Sequence, residues 1–360
     1  MARKHNSFVL NGREIKFVEV LNSSKAIKLI TDFEKETVDV IKSFLSEDEK
    51  IIQQTSGSTG IPKKIEITRE QLIASANMTG EFLGYNNSNL ESLLCIPASF
   101  IGGKMVLIRA LVFDLPIIAQ EPSANPFKSI GKLEITSITP YQLQNIIENN
   151  STTCINKNSI ILVGGGPVNS ELHKKIENLP GKIYHTYAMT ETVSNIALRK
   201  LNNPGSKDYF EVLEGIEINT SNEQLQVKGK VTSDKWLNTN DVVELINDKS
   251  FRWIGRSDNV INSGGIKVNL DELKAKIEAE LKHLEISTEV ALLKTEDEKF
   301  TEGFILVVEE NQGNKIRKTI EGIKEKLFNK VKPKKIISIP NLPKTPTDKI
   351  DYPTLRKILE

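Results

Sequence analysis

The chain has 360 residues, a formal net charge of +1, 38% hydrophobic residues and 26% charged residues. This length suffices for about two domains with buried cores, and the composition is that of an ordinary globular protein. The near-neutral balance excludes a global field that would attract nucleic acid or an anionic membrane. The two cysteines, Cys95 and Cys154, form no metal or redox motif and indicate a reducing compartment.

Targeting segments are not evident in the sequence. The first residues, Met1 to Asn6, are polar, and no apolar run follows them. No stretch approaches the ~20 apolar residues that a membrane span needs. We therefore expect no signal peptide, no membrane span and a cytoplasmic location.

The first hundred residues combine short strands with two capped helices. Apolar runs at 8–10 and 15–18 predict early strands or a small cap. The spacing of Thr31 and Glu34 is that of a capping box and predicts a helix after it. Thr68 and Gln71 repeat this spacing and predict a helix to about residue 83.

A glycine-rich loop lies between two predicted strands, which end near residue 54 and begin near residue 64. Glycines let backbone N–H groups turn toward an anion, hydroxyls add donors and a lysine adds charge, so the loop is typical of a phosphate site. Its predicted phosphate ligands are Thr55, Ser56, Gly57, Ser58, Thr59, Gly60 and Lys63. A Walker-type loop runs directly into a helix, whereas this one joins two strands, which argues against a kinase or a GTPase.

Residues 92–165 alternate apolar runs with helical patterns, which predicts a mostly parallel sheet with helices on its faces. The predicted strands are 93–96, 115–118, 135–138 and 160–163, and the predicted helices are about 102–113, 125–132 and 140–149. Ligands on such sheets bind beyond the carboxyl ends of the strands. Two informative segments lie there, Gly164-Gly165-Gly166-Pro167 and His185 to Thr192.

After about residue 208, the alternation of strands and helices gives way to short strands and then to a second predicted domain. Residues 208–254 predict a small antiparallel sheet or barrel, and a small α+β domain follows, with a helix capped by Asn269. The predicted fold class is α/β, with a large domain at 1–255 that contains mostly parallel sheets, flanking helices and the small β subdomain. A small, mobile α+β domain is predicted at 256–360.

Six motifs occur together in one order. They are Thr55-Ser56-Gly57-Ser58-Thr59-Gly60-x-Pro62-Lys63, Gly164-Gly165-Gly166-Pro167, Tyr187-Ala188-Met189-Thr190-Glu191-Thr192, Thr239-Asn240-Asp241, Gly255-Arg256-x-Asp258-x-x-Ile261 with Gly265, and Pro343-Lys344-Thr345 through Lys349-Ile350. From about residue 50 to its end, the chain thereby resembles the adenylate-forming superfamily of luciferases, acyl-CoA ligases and peptide-synthetase adenylation domains. Family members commonly carry more chain before the phosphate loop, so the resemblance implies a large domain that is trimmed at its N-terminus.

The resemblance implies a reaction in two halves. A carboxylate attacks the α-phosphate of ATP, and a thiol, usually coenzyme A, then attacks the acyl carbon of the acyl-adenylate. Implied nucleotide ligands are the phosphate loop, Gly164, Gly165, Gly166, Tyr187 on the adenine, Asp241 on the ribose, and Arg256. Implied catalytic groups are Lys349, Thr190 and Glu191, of which Glu191 would also hold Mg²⁺. Asp258 falls at the family's hinge position, and Gly264 and Gly265 would line the CoA tunnel.

Three positions depart from the family pattern. Asn240 and Asp348 replace glycines, and both residue types tolerate left-handed backbone better than most. Ala188 also replaces a glycine, beside the predicted adenine site, and cannot easily take a positive φ.

The segment 96–111, which is mostly apolar and helical, is predicted to form part of the acid pocket, and it carries Arg109 one turn from Met105. Arg109 is therefore expected to be buried and to need a partner. A second carboxylate on the substrate would supply one. The segment 102–111 and the short chain are similar to o-succinylbenzoate–CoA ligases of menaquinone biosynthesis, whose substrate has two carboxylates. Alternatively, Arg109 pairs with an acid such as Asp114 or reaches solvent. Two further functions stay open for the chain as a whole: an adenylating enzyme or CoA ligase for another aryl or acyl acid, and, more remotely, a non-catalytic nucleotide-binding paralogue.

Overall fold

The computed structural model of the protein describes residues 6–22, 27–46, 50–54, 64–87, 90–286, 288–297, 301–309, 315–328, 331–344 and 350–359. The chain divides into two compact units. The first comprises Met1–Asn219, Gln226–Asn238 and Leu245–Arg252, and the second Thr220–Leu225, Thr239–Glu244 and Trp253–Glu360. The boundary at residue 255 stays a prediction. Within the described ranges, no helix is long and apolar enough to cross a membrane.

The first unit contains eleven complete strands and six helices among its described residues. The strands are β1 Ser7–Leu10, β2 Arg13–Lys16, β3 Lys50–Gln54, β4 Lys64–Thr68, β5 Ser92–Leu94, β6 Ile117–Ala119, β7 Ile135–Ile138, β8 Ile160–Val163, β9 Lys182–Ala188, β10 Asn195–Lys200 and β11 Phe210–Val212. The helices are α1 Phe17–Leu21, α2 Asp32–Leu45, α3 Arg69–Leu83, α4 Ile101–Val112, α5 Pro140–Glu148 and α6 Ser170–Ile176.

Four strands contribute residues to both units, and the remainder belong to the second unit alone. The shared strands are β12 Glu217–Ser221, β13 Gln224–Lys228, β14 Leu237–Asn247 and β15 Ser250–Arg256. The second unit adds β16 Val260–Ser263, β17 Ile266–Asn269, α7 Leu270–His283, β18 Val290–Asp297, β19 Thr301–Glu309, α8 Lys315–Phe328, β20 Lys335–Ile339 and α9 Tyr352–Leu359.

The main sheet of the first unit is parallel at its centre. Strands β6, β5, β7, β8 and β9 lie in this order, and each neighbouring pair is parallel. Strands β10 and β11 continue the sheet antiparallel, and the β1–β2 hairpin joins its other side through β6. The predicted mostly parallel sheet with flanking helices is therefore confirmed. Helix α4 is buried from Gly103 to Leu111, as its apolar sequence indicates.

Three local predictions need correction. The helix predicted at 125–132 is a single 3₁₀ turn, Pro126–Ser129, and the preceding Asn125 makes no side-chain capping bond. The strand predicted at 15–18 stops at Lys16, since Phe17 begins α1. At Thr31, only half of the capping box forms, because the Glu34 carboxylate accepts from Ile30 N instead of Thr31 N. The full capping box forms at Thr68.

Glu34 ties the N-terminal hairpin to helix α2. Its carboxylate lies 2.5 Å from Arg13 Nη2 and accepts hydrogen bonds from Asn11 Nδ2 at 2.7 Å and Ile30 N at 2.6 Å. Burial alone would raise the pKa of this carboxyl, but the Ile30 N–H, the Arg13 guanidinium and the Asn11 amide together lower it to about 2. The ionised carboxylate thus fastens the hairpin turn to the rest of the unit.

We expect this carboxylate to make folding stability pH-dependent in acid. The pKa of Glu34 in the folded state, about 2, lies below its ordinary value of 4.5. The stabilisation is therefore present above about pH 4.5, and roughly 3 kcal/mol is lost as the pH falls through about 2. Urea unfolding between pH 2 and 6 should show a weaker pH dependence in Glu34→Gln than in the wild type. Glu70→Gln, at an exposed position on α3, is the control, and equal slopes for Glu34→Gln and wild type would contradict the assignment.

The second unit is built on a five-stranded sheet. Its strands run β17-β16-β19-β18, and β20 pairs parallel with β19. Asn269 caps α7 as predicted, since its side chain accepts from Asp271 N and Glu272 N. Apolar residues of α7, α8 and the sheet, including Ile277, Phe304 and Ile320, form its buried core.

Candidate active site

The glycine segment Gly164–Gly166 directly follows β8, at the carboxyl end of the parallel sheet. Gly164 N donates to Ile138 O at 3.0 Å, which fixes the start of the segment. A Cβ on Gly164 would lie 2.4 Å from Thr186 Oγ1, and Gly165 has a φ of +79°. Both positions therefore require glycine, for close packing in one case and for left-handed backbone in the other. The bare backbone lies where the sequence predicts adenine binding.

Tyr187 lies on β9, next to this segment. Its side chain is 8% exposed and packs edge-on against Phe210 and Phe251, with ring centroids 5.8 and 5.1 Å apart. The ring is thus held in an aromatic cluster, and stacking on adenine stays a prediction. Ala188 has no positive φ, so the methyl group that replaces the family's glycine causes no backbone strain.

Thr190 and Glu191 form a 3₁₀ turn between β9 and β10. The buried Thr192 hydroxyl lies 3.1 Å from Met189 O and 2.9 Å from Ser194 O, and so fixes the base of the turn. Val193 follows with φ +67° and ψ −56°, and Ser194 N donates to Thr192 O at 2.7 Å, which is a strained γ-turn. This turn leaves Glu191 exposed.

An exposed, single carboxylate is what a phosphate-bound magnesium ion needs. Mg²⁺ is usually held by one or two carboxylates plus substrate phosphates and waters. Glu191 fits that mode, and the described part of the chain contains no cluster of three or more His, Cys, Asp or Glu side chains suited to an all-protein site.

Arg109 lies on α4 and is 5% exposed. Its guanidinium donates to Asn195 Oδ1 at 3.1 Å and to Ser137 Oγ at 3.4 Å, and both partners are neutral. Among the described residues, no carboxylate forms an ion pair with it, so neither pairing with Asp114 nor access to solvent is realised. Burial lowers the pKa of Arg109. A buried cation with only neutral partners is costly, which makes this position a candidate anion site.

Tyr85 and Asn195 are two further buried side chains that interact with Arg109. Burial raises the pKa of Tyr85 to about 12, an effect that the Arg109 charge opposes. Asn195 is 2% exposed, accepts from Arg109 and donates through Nδ2 to Thr79 Oγ1 at 3.1 Å. Sequence reasoning missed Asn195, although an asparagine that opens the apolar run 196–198 was a usable signal.

Asp241, the predicted ribose ligand, belongs to the second unit. It is 8% exposed, and its Oδ1 accepts from Trp253 Nε1 at 3.1 Å. The indole thereby orients the carboxylate. Asn240 beside it lies in β14 without a positive φ, and its carbonyl accepts from Ser257 N at 2.8 Å. The asparagine that replaces a family glycine is therefore accommodated in ordinary extended backbone.

The remaining predicted residues of the second unit lie on the same stretch of chain. Arg256 Nε is 3.7 Å from Asp258 Oδ1, and both side chains are exposed, so the pair contributes little to stability. Gly264 and Gly265 form the two-residue turn between β16 and β17, with φ values of +60° and +83°. Positive φ at both central positions is the requirement of a tight hairpin turn, which explains these glycines independently of a CoA tunnel.

Two predicted phosphate-contacting segments, the loop Thr55–Lys63 and the segment that carries Lys349 and Asp348, lie outside the described residues. The structure does describe their bases. Strands β3 and β4 are antiparallel with Gln54 opposite Lys64, so the loop joins two strands as predicted. Lys344 pairs with Ile350 in an antiparallel bridge, and Asp351 N donates to Pro343 O at 2.8 Å.

Glu289 anchors the base of the lysine-bearing segment. Its carboxylate forms ion pairs with Lys344 and, at 3.0 Å, with Lys274 of α7. Burial raises the pKa of Glu289, but the two lysines outweigh that effect and lower it. The ionised carboxylate thus connects residue 344 to the second unit's core helix.

Comparison with known proteins gives consistent results. The sequence model of the AMP-binding enzyme family matches residues 7–217 of this chain. The chain is 23% identical to a 2-succinylbenzoate–CoA ligase from Listeria innocua, over 99% of this chain and 82% of that protein. It is 27% identical to the Lactococcus lactis protein of the same name, over 87% and 71% of the two chains.

Solved structures agree with these matches. An acyl-CoA synthetase (AMP-forming)/AMP-acid ligase II-like protein from Dyadobacter fermentans is 34% identical, with a TM-score of 0.63, and the match covers 93% of this chain and 97% of that chain. The o-succinylbenzoate coenzyme A synthetase from Bacillus subtilis, in complex with ATP and magnesium ion, shares the fold at 21% identity. Its TM-score is 0.63, and the match covers 85% and 69% of the two chains.

Proposed function

Since this chain belongs to the AMP-binding enzyme family, we propose that it is an ATP-dependent acid–CoA ligase that acts on o-succinylbenzoate. The relatives named 2-succinylbenzoate–CoA ligase support the reaction class and the acid. The observation that carries the choice of acid is the buried Arg109 guanidinium, whose partners among the described residues are all neutral. ATP, Mg²⁺ and coenzyme A follow as co-substrates and cofactor of this reaction.

The first half-reaction joins the acid to AMP. A carboxylate oxygen of the acid attacks the α-phosphorus of ATP, the bond to the β-phosphate oxygen breaks, and pyrophosphate leaves. Several negative charges meet in this step, so catalysis consists of positioning and of cations and N–H donors aimed at the phosphates. A magnesium ion, held by Glu191, would neutralise part of this charge. We assign the β- and γ-phosphates to the 55–63 loop and the α-phosphate to Thr190.

The nucleotide contacts are also part of the proposal. We assign adenine to the Gly164–Gly166 backbone and Tyr187, the ribose hydroxyls to Asp241, and a supporting ribose or phosphate contact to Arg256. Asp241 is suited to its role because an ionised acceptor forms strong hydrogen bonds with hydroxyl donors, and Trp253 fixes its orientation.

The second half-reaction releases AMP. The sulfur of coenzyme A attacks the acyl carbon, the acyl–phosphate bond breaks, and the thiol proton passes to solvent. The α-phosphate in the first half-reaction and the thiol in the second must each reach the same carboxyl group, so we assign Asp258 to a hinge between two arrangements of the chain. We assign Gly264 and Gly265 to the path of the pantetheine arm.

The acid itself can be identified with a substrate panel. ATP–pyrophosphate exchange should be fastest with o-succinylbenzoate and at least tenfold slower with benzoate and with medium-chain fatty acids, which lack a second carboxylate. Exchange with benzoate or fatty acids but none with o-succinylbenzoate would show instead an adenylating enzyme for another acid. No exchange with any acid would indicate a non-catalytic paralogue, although the loop lysine, Glu191 and Lys349 that such a protein would be expected to lose are all present.

A further inference from the structure

His185, on strand β9, contacts the glycine segment Gly164–Gly166. Its Nε2 lies 3.1 Å from Gly166 O, and Arg199 Nη2 lies 3.3 Å from its Nδ1. A guanidinium can only donate hydrogen bonds, so Nδ1 must be the acceptor. The proton of the neutral ring is then on Nε2, where it donates to the Gly166 carbonyl. Arg199 thus selects the tautomer that holds the glycine segment.

The same pair contacts the aromatic cluster around Tyr187. The Arg199 guanidinium lies over the Phe210 ring at 5.4 Å, and the His185 ring is 5.4 Å from Phe210. Phe210 in turn packs against Tyr187. The two segments that the family resemblance assigns to adenine, Gly164–Gly166 and Tyr187, therefore share one supporting network.

We propose that His185 is a positioning residue for the nucleotide: its Nε2–H holds the Gly166 peptide in the orientation that adenine binding requires. This inference rests on the proposed function, because it assumes that adenine binds at Gly164–Gly166. His185 itself touches no substrate. Its role is to keep a glycine-rich segment, which is costly to order, in one conformation before ATP arrives.

The charges that face His185 favour the neutral ring. Burial lowers its pKa to about 4, and the Arg199 charge on β10 and His173 on α6 act in the same direction, while the Gly166 carbonyl opposes them. At neutral pH, His185 is uncharged and the tautomer argument applies.

The test measures nucleotide affinity in the full-length protein. His185→Leu should weaken ATP binding about tenfold by calorimetry, the size of one lost hydrogen bond. The KM for ATP should rise equally, while kcat and the KM for the acid stay within about twofold. His185→Gln retains an amide donor and should restore most of the affinity. Binding of inorganic pyrophosphate alone should be unchanged in both variants, because it does not involve adenine.

A measurement on the unmodified protein keeps the proposal testable if His185→Leu does not fold. Nitrogen-15 NMR of labelled histidine should show His185 neutral with the proton on Nε2, and AMP should shift that resonance. A ring protonated on Nδ1, or unchanged ATP affinity in a folded His185→Leu variant, would overturn the proposal. Failure of the wild type to bind ATP would instead refute the proposed function.

Discussion

Replacing Lys349 with alanine should lower the rate of acyl-adenylate formation by at least about a hundredfold, because the variant lacks the cation proposed to bridge the attacking carboxylate and the α-phosphate. Removal of one preorganised group that stabilises transition-state charge typically costs about 10²–10³ in rate. ATP–pyrophosphate exchange with o-succinylbenzoate measures this half-reaction alone. The loss should appear in kcat more than in the KM for ATP, since the charge develops during the reaction.

The described residues on either side of the segment 345–349 show how its two ends are held. The Lys344–Ile350 bridge and the bond from Asp351 N to Pro343 O close the base of the segment. The ion pairs of Glu289 with Lys344 and Lys274 connect that base to α7. Both residues that flank the segment, Lys344 and Ile350, are therefore held within the second unit.

The control for this prediction is Lys335→Ala, which removes an exposed lysine at the start of β20. It changes the net charge by the same amount and should leave exchange unchanged. Both variants should keep the wild-type melting temperature. Wild-type exchange in a folded Lys349→Ala variant would mean that this chain does not use the lysine in adenylation.

Much of the fold could be predicted because buried parallel strands appear in sequence as continuous apolar runs. Strands β7 and β8 have the bounds expected from such runs, and helix α5 begins where Pro140 follows Thr139. The 3₁₀ turn at Pro126–Ser129 was mistaken for a helix because turn residues and a short apolar stretch resemble a helix start. Local sequence did not distinguish a single 3₁₀ turn from a helix of about two turns.

The candidate site was less predictable, since its contacts join distant residues. Sequence reasoning could place Arg109 in an apolar helix, but its partners Asn195 and Ser137 lie 86 and 28 positions away along the chain. The His185–Gly166 bond spans 19 positions, and it depends on the parallel register that pairs Val163 with His185. Such contacts follow from strand order, which local patterns do not specify.

Arg109→Gln should lower kcat/KM for o-succinylbenzoate by about 10²–10³, while activity with an acid that has a single carboxylate stays within about threefold. A charged, bidentate contact to a carboxylate contributes more than a neutral hydrogen bond, and glutamine cannot replace it. Exchange or thioester formation with o-succinylbenzoate and benzoate, measured side by side, gives the ratio directly. An equal loss with both acids would mean that Arg109 supports the site without contacting the second carboxylate.

Arg109→Gln should lower activity without lowering thermal stability. This combination distinguishes a residue that binds substrate from one that stabilises the fold. The buried guanidinium has only neutral partners among the described residues, so its replacement by a neutral amide should leave the melting temperature equal or higher. In the absence of a bound anion, such a charge is kept at a cost in stability.

Lys104→Gln provides the matched control, since Lys104 is the other buried cation of α4. Its Nζ donates to the neutral Gln53 Oε1 at 2.7 Å, and burial lowers its pKa. Five positions separate it from Arg109, which places the two side chains about 140° apart around the helix. The two variants remove the same charge from the same helix. If the ratio of kcat/KM for o-succinylbenzoate to that for benzoate falls in Arg109→Gln but not in Lys104→Gln, a contact between Arg109 and the second carboxylate explains the difference. A similar change in Lys104→Gln would attribute the discrimination to the general field of α4 instead.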